Sequence, residues 1–184
     1  MKPHILSRHR GQAGYTLIEL IIASAIGLLV LSALASIFVT TMLGANSATG
    51  RVEASAQIRN FQLMAYDDFA LSRPPSASGC GTNSNPCTTA AMVLTGNRMP
   101  NQADGVAAPF SVTYVWNEGR QTVTRLIGAA AQTAASNVTD YSWYVDISED
   151  HPVVVVRMTV TVGFYNTSYS ESQSLLFYPR VTSP

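Results

Sequence analysis

The sequence predicts an α+β protein in which a long N-terminal helix, spanning a membrane over its first part, packs on an antiparallel β-sheet domain. An uncharged apolar segment runs from Leu20 to Leu43. Much of the later chain consists of β-branched and aromatic segments between polar turns. We therefore expect a short basic segment at 1–14, a transmembrane helix at 15–43, its amphipathic continuation at 44–72, and a β domain at 73–184.

The apolar segment is long enough to cross a bilayer. As a helix it would measure about 36 Å at about 1.5 Å per residue, against a hydrocarbon core of about 30 Å. Lys2, Arg8 and Arg10 precede it, and the next basic residue is Arg51. Because basic ends stay in the cytoplasm, the rest of the chain should face outward.

Two other interpretations of this segment compete. A secretory signal peptide would also carry a basic start, an apolar stretch and the A-x-A pattern of Ala33-Leu34-Ala35. A plain signal anchor is the second. Neither interpretation explains why the acidic Glu19 lies at the start of the apolar segment.

The stretch "GYTLIEL", Gly14–Leu20, resembles the N-terminal motif of type IV prepilins and pseudopilins. The resemblance implies that residues 1–14 are a leader, that a prepilin peptidase cuts between Gly14 and Tyr15, and that the new amino group of Tyr15 is methylated. Tyr15 stands where phenylalanine is usual. Ser36 lies where major pilins often carry a helix-breaking proline, which suggests a minor subunit or a pseudopilin.

Glu19 has two candidate roles. In the family its charge meets the amino terminus of a neighbouring subunit, which would make it an assembly residue. Thr16 and Glu19 also have the spacing of a capping box, in which each side chain satisfies a backbone N–H at the helix start. Both roles can hold at different times.

Beyond the membrane segment, apolar residues recur at helical spacing, which predicts one buried stripe. Its members are Ala54, Ile58, Phe61, Ala65 and Phe69. Arg73-Pro74-Pro75 should end the helix. We interpret the Asp67-Asp68 pair as a solvated helix end rather than a metal site or an acid–base couple, because adjacent carboxylates on a helix point in different directions.

A polar loop at 76–90 contains the chain's two cysteines, Cys80 and Cys87. Outside the cytoplasm such a pair predicts a disulfide. A metal site would need two further ligands, and the nearest histidines in sequence are His9 and His151, so we expect no metal.

From Ala91 onward the pattern is strand-like. "FSVTYVW" and "RQTVTRLIG" flank Asn117-Glu118-Gly119, which predicts a hairpin with a bulge at the glycine. "VTDYSWYVDI", "PVVVVRMTVTVGFY" and "SQSLLFYPRV" follow. This order is similar to pilins, and most similar to PilW-type minor pilins and the related J-type pseudopilins.

The search for catalytic patterns gives no candidate. His151 lies in a polar turn, and there is no nucleophile elbow or phosphate loop. A group of aromatic residues could form a ligand-stacking surface, but such residues on strands are more often core. They are Tyr141, Trp143, Tyr144, Phe164, Tyr165 and Tyr169.

The resemblance therefore implies a non-enzymatic minor pilin that helps to initiate or assemble a type IV pilus, with no cofactor and no small-molecule substrate. Its expected partners are other pilins or pseudopilins, the prepilin peptidase and the inner membrane, with the C-terminal domain in the periplasm and later in the pilus at the cell surface. A type II secretion pseudopilin and a tip adhesin or DNA-uptake pilin are the alternatives. Without residues 1–14 the chain has eight Arg and eleven acids, which argues against nucleic acid as a partner.

Overall fold

The computed structural model describes residues 15–98, 108–147, 151–164 and 167–179. Within these ranges it has one long helix, α1, at Leu17–Ala70, followed by strands β1 to β7. The chain divides into two compact units, the first ending at Ala45 and the second beginning at Asn46. The predicted leader, 1–14, lies outside the described residues.

The first unit contains the apolar start of α1. From Leu17 to Ala45 no residue is buried, and Glu19 is the only charged residue. This helix is long and apolar enough to cross a membrane. The observation fits the predicted membrane anchor.

In the second unit, α1 buries one stripe against the strands. All five residues of the predicted stripe are buried, which confirms the helical period. The complete buried stripe is Gly50, Ala54, Ile58, Phe61, Ala65, Asp68 and Phe69. The helix ends at Ala70, just before the predicted stop at Arg73-Pro74-Pro75.

The seven strands of the described residues are antiparallel and form two sheets rather than one. The first sheet has the order β1-β2-β3-β4, with bounds Met92–Arg98, Ala108–Asn117, Thr122–Ile127 and Ala130–Ala135. The second has the order β5-β6-β7, with bounds Val138–Asp146, Val153–Phe164 and Thr167–Phe177. Asn137, with φ of 59°, lies between β4 and β5, where the chain passes from one sheet to the other.

The hairpin between β2 and β3 is confirmed, but its connection differs from the expected one. Glu118–Arg120 form one turn of 3-10 helix, capped by the Asn117 side chain, which accepts a hydrogen bond from Arg120 N. The left-handed residue is Gln121, with φ of 52°, and not Gly119. The asparagine cap therefore sets the turn, and the glycine does not.

The chain leaves α1 alongside β1. Arg73 N donates to the Thr95 carbonyl at 2.8 Å. A Cβ on Gly96 would collide with the Leu71 carbonyl oxygen, so this close approach requires glycine.

The core between α1 and the sheets is rich in aromatic rings. Tyr141 and Trp143 are fully buried in this core. Tyr144 is also buried, but in a separate small cluster with Val153 and Val155. All three are therefore packed residues, as predicted. Tyr169 is partly buried and packs against the core. Tyr165 and the side chain of Phe164 lie outside the described residues.

Candidate functional site

The start of α1 carries the predicted processing and assembly residues. Glu19 N donates to Thr16 Oγ1 at 3.3 Å, and Thr16 N donates to Glu19 Oε2 at 3.3 Å. These reciprocal bonds are those of a capping box. Tyr15 is 87% exposed, and Gly14 lies outside the described residues.

Glu19 has no cationic partner among the described residues of the chain. Its carboxylate accepts bonds only from Thr16 N and Thr16 Oγ1, and the ion pair found in the described ranges lies elsewhere. A carboxylate on an apolar helix that is exposed on all sides has no charge to offset it inside a membrane. Within the described residues the Glu19 side chain is therefore not committed to any cation.

Cys80 and Cys87 form a disulfide, with Cα atoms 5.0 Å apart. The loop that it closes lies along the edge of β5. Cys87 and Trp143 exchange two backbone hydrogen bonds, of 2.9 and 3.0 Å, and Val145 N donates to Gly81 O at 2.9 Å. The loop thus extends the second sheet, and the disulfide closes the segment that pairs with β5.

The expectation that Asp67-Asp68 is a solvated helix end is wrong for Asp68. Asp67 is exposed, but Asp68 is 1% exposed. Asp68 accepts hydrogen bonds of 2.6 Å from Nε and Nη2 of Arg125 and one of 2.7 Å from the Tyr114 hydroxyl. The reason is helical register, because Asp68 lies three residues after Ala65 and seven after Phe61, on the buried stripe.

Asp68, Tyr114 and Arg125 form a cluster, the Asp68 cluster, in which the charges of Asp68 and Arg125 are paired with each other. Burial, and then the hydrogen bond to Asp68, raise the pKa of Tyr114 above its usual range. The hydrogen bond to Asp68 also raises the pKa of Arg125. A buried charge pair of this kind holds helix and sheet together and is not poised for proton transfer.

The remaining titratable residues form no chemical centre in the part of the chain that the structure describes. No group of three His, Cys, Asp or Glu side chains there could hold a metal ion. His151 is exposed. The surface grooves are shallow, and one of about 550 Å³ runs along the outer face of α1 between Arg51 and Leu63.

Comparison with protein families gives one match. Residues 9–35 match the prokaryotic N-terminal methylation motif. This motif indicates a type IV pilin-like or pseudopilin-like protein. It implies processing by a prepilin peptidase and association with pilus or pseudopilus components, and it suggests a structural protein rather than an enzyme.

The match covers the last residues of the predicted leader and the first part of α1, and it leaves the β domain unmatched. Comparisons with curated proteins and with solved structures found no match. The long apolar helix packed on antiparallel sheets is nevertheless a pilin-like architecture. The motif and the apolar helix together fit membrane anchoring and incorporation into a pilus.

Proposed function

We propose that this protein is a minor pilin that helps to start a type IV pilus or occupies its tip. The observation that carries the proposal is Glu19, an acid at the start of an exposed apolar helix within a matched methylation motif. After cleavage between Gly14 and Tyr15, residues 15–43 anchor the chain in the inner membrane. The domain that follows lies in the periplasm, where a disulfide such as Cys80–Cys87 is stable.

Assembly depends on exchanging one partner of Glu19 for another. In the waiting monomer the carboxylate caps its own helix through Thr16. In the fibre it pairs with the positively charged amino terminus of a neighbouring subunit. In a low-dielectric bundle each of these charges is costly alone, so their pairing favours incorporation.

The outer face of α1 in the second unit supports contacts with other subunits. Val52 and Leu63 are each 70% exposed, and Tyr66 is 59% exposed. With Ala56 and Arg59 they recur every three or four residues, on the face opposite the buried stripe. Such a stripe is typical of a helix that packs against another helix.

Two features support a minor position over a repeating one. Ser36 replaces the helix-breaking proline that is frequent in major pilins, and α1 is continuous through it. The disulfide loop adds a polar surface to the domain. The finer resemblance to PilW-type minor pilins is part of this proposal.

A pseudopilin of a type II secretion system is the alternative. The uninterrupted helix suits it equally well. The gene neighbourhood distinguishes the two, because minor-pilin genes indicate a pilus, whereas secretion ATPase, secretin and pseudopilin genes indicate secretion.

The test of the proposal is Glu19→Gln, with Glu53→Gln as the matched loss of one acid from the same helix. Glutamine still caps the helix, so we expect normal insertion and processing. Crosslinking from position 18 to other pilins should fall by about tenfold or more, because the neighbour's amine loses its counter-charge. Equal crosslinking and equal piliation in Glu19→Gln and wild type would refute the assembly role.

A further inference from the structure

The inner side of α1 in the second unit is held firmly on β7. Three contacts follow one another along both segments: the Arg51 guanidinium lies 5.4 Å from the Tyr169 ring centroid, Ser55 Oγ donates to Glu171 at 2.6 Å, and the Phe69 and Phe177 rings stack at 4.2 Å. The outer side of the same helix is therefore presented in a fixed orientation relative to the strands.

Two charged residues on this outer side have no partner among the described residues. Of the five charged residues of α1 in the second unit, three have partners: Arg51 over the Tyr169 ring, Glu53 with Gln57, and Asp68 with Arg125. The other two, Arg59 and Asp67, are exposed, and neither takes part in the ion pair of the described ranges. Each can still take an opposite charge.

The position of Asp67 is unfavourable for an acid without a partner. Asp67 lies in the last turn of α1, which contains no basic residue. The C-terminal end of a helix carries partial negative charge, so a carboxylate there is destabilised and a nearby cation is stabilising. Arg125 supplies that cation to the neighbouring Asp68. Asp67 lacks one within the described ranges.

Arg59 and Asp67 flank the exposed apolar residue Leu63 on opposite sides. Each is four residues from Leu63, and four residues turn a helix by about 400°, so the two charges lie about 40° to either side of it. Val52 and Ala56, which are also exposed, continue the apolar line. The outer stripe of α1 therefore has a cationic flank and an acidic flank, whose charges are about 12 Å apart along the helix axis.

This arrangement is complementary to itself. When two copies of a helix pack face to face and run parallel, the cationic flank of each lies beside the acidic flank of the other. When they run antiparallel, like flanks lie together, and charges on such flanks set the orientation of helix pairs. A parallel copy shifted by eight residues, about 12 Å, places its Asp67 opposite Arg59 of the first copy. The same shift brings Leu63 of the second copy level with Ala56 of the first.

We infer that the outer stripe of α1 binds a second copy of this chain, parallel and shifted by eight residues, an inference that deepens the proposed function and rests on it. Arg59 of one copy pairs with Asp67 of the next, and Leu63 of the second packs on Ala56 of the first. Because this contact is heterologous, the pair of copies keeps one open Arg59 and one open Asp67. A starting complex of this kind presents both flanks to further subunits.

The contact is small and therefore belongs to copies that share a membrane. Stable interfaces in solution have about 20–30 residues on each side, whereas the stripe presents only a few side chains. Anchoring by residues 15–43, as proposed above, brings the copies together. The experiments therefore use the full chain, in cells that express the whole assembly.

Engineered disulfides test the register. One tagged copy carries Ala56→Cys and a second copy, with another tag, carries Leu63→Cys; the control places Leu63→Cys in both. The native cysteines are already joined to each other. A disulfide needs Cα atoms within about 7 Å, so an oxidant should join positions 56 and 63 about fivefold more than two positions 63, which lie about 12 Å apart along the axis. Equal yields, or no copy-to-copy disulfide, would overturn the inference.

Charge reversal tests the pairing of Arg59 with Asp67. Arg59→Asp in the Ala56→Cys copy sets two acids opposite each other, so the disulfide yield should fall about fivefold. Arg120→Asp, the same change at another exposed arginine, should leave the yield unchanged. Asp67→Arg, added to the Leu63→Cys copy, should restore it. A fall without restoration would mean that a different subunit faces Arg59, and that result, like an unchanged yield in Arg59→Asp, overturns the inference.

Glu19→Gln separates this inference from the proposed function. If Glu19→Gln blocks incorporation while wild-type membranes give no copy-to-copy disulfide, the proposed function stands and the inference fails. If Glu19→Gln is incorporated normally, the assembly role of Glu19 fails whatever the disulfide yields.

Discussion

Asp68 on the helix and Arg125 on β3 form an ion pair and are joined by two hydrogen bonds of 2.6 Å. The pair lies where the end of α1 meets the first sheet. Asp68 is 1% exposed on its side chain and Arg125 15%. Removal of either partner would leave the other charged and largely out of water.

Asp68→Ala should lower the free energy of unfolding by about 3 kcal/mol, because it strands the Arg125 guanidinium. The measurement is chemical denaturation of the full chain in detergent, followed by tryptophan fluorescence. Asp67→Ala is the control on the neighbouring exposed residue, and it should stay within about 0.5 kcal/mol of wild type. Equal effects at both positions would show that the ion pair adds nothing.

Two buried tyrosines should respond differently to loss of their hydroxyl. Tyr114→Phe should destabilise the protein by about 1–2 kcal/mol, because Asp68 loses a buried hydrogen bond. The Tyr141 hydroxyl is buried with no hydrogen-bond partner in the described ranges, so Tyr141→Phe should be neutral or slightly stabilising. The same denaturation curves compare them, and a destabilised Tyr141→Phe would indicate a partner for that hydroxyl.

Because the pKa values of the same two tyrosines are raised, the protein should lose stability at alkaline pH. Burial raises the pKa of Tyr114 and of Tyr141 above the ordinary value. The unfolded chain thus loses these protons first, so their contribution is complete below about pH 10 and falls as the pH rises above it. Each tyrosine lowers the free energy of unfolding by up to about 1.4 kcal/mol for each pH unit in this range. The free energy of unfolding, measured by denaturation between pH 9 and about 11.5, should fall less steeply with pH in the double phenylalanine variant than in wild type. An equal fall in both would contradict this.

Loss of the disulfide should loosen one edge of the second sheet. Cys80→Ser/Cys87→Ser should lower the free energy of unfolding by about 2.5 kcal/mol and expose Trp143, whose backbone pairs with Cys87. Acrylamide quenching in a Trp116→Phe background isolates Trp143, because the chain has two tryptophans. Unchanged quenching would mean that the loop stays on β5 without its crosslink.

The mature chain should begin with an N-methylated Tyr15. The matched methylation motif at residues 9–35 is the reason. Mass spectrometry of the N-terminal peptide measures it, and Ile5→Ala, which lies outside the matched residues, should leave processing unchanged. A terminus at Ser36 would instead establish the secretory-signal interpretation.

Local periodicity was sufficient to predict the helix stripe and most strands. Apolar spacing from Ala54 to Phe69 reports one helix face directly, and β-branched runs such as that of β6 predict a buried strand. The strand β4, "AAQTAA", was not predicted because alanine and glutamine have little preference for strands.

Features that depend on distant partners were not predictable in the same way. Asp68 and Arg125 are separated by 57 residues, and no spacing rule joins them. Helical register alone would have placed Asp68 on the buried stripe, and that signal was available in the sequence. The chain passes from the first sheet to the second at Asn137, which has a left-handed backbone, a conformation that asparagine permits but does not require.

Within the second unit, α1 and β7 run side by side in the same direction, and this has a mechanical consequence. A force applied at Asn46 along the helix axis pulls this part of α1 along β7. The contacts at Tyr169, Glu171 and Phe177 lie in a row along this direction, so the load reaches them together, in shear, rather than peeling them apart one after another. The domain should therefore resist extension better than a domain attached through a single end of the helix.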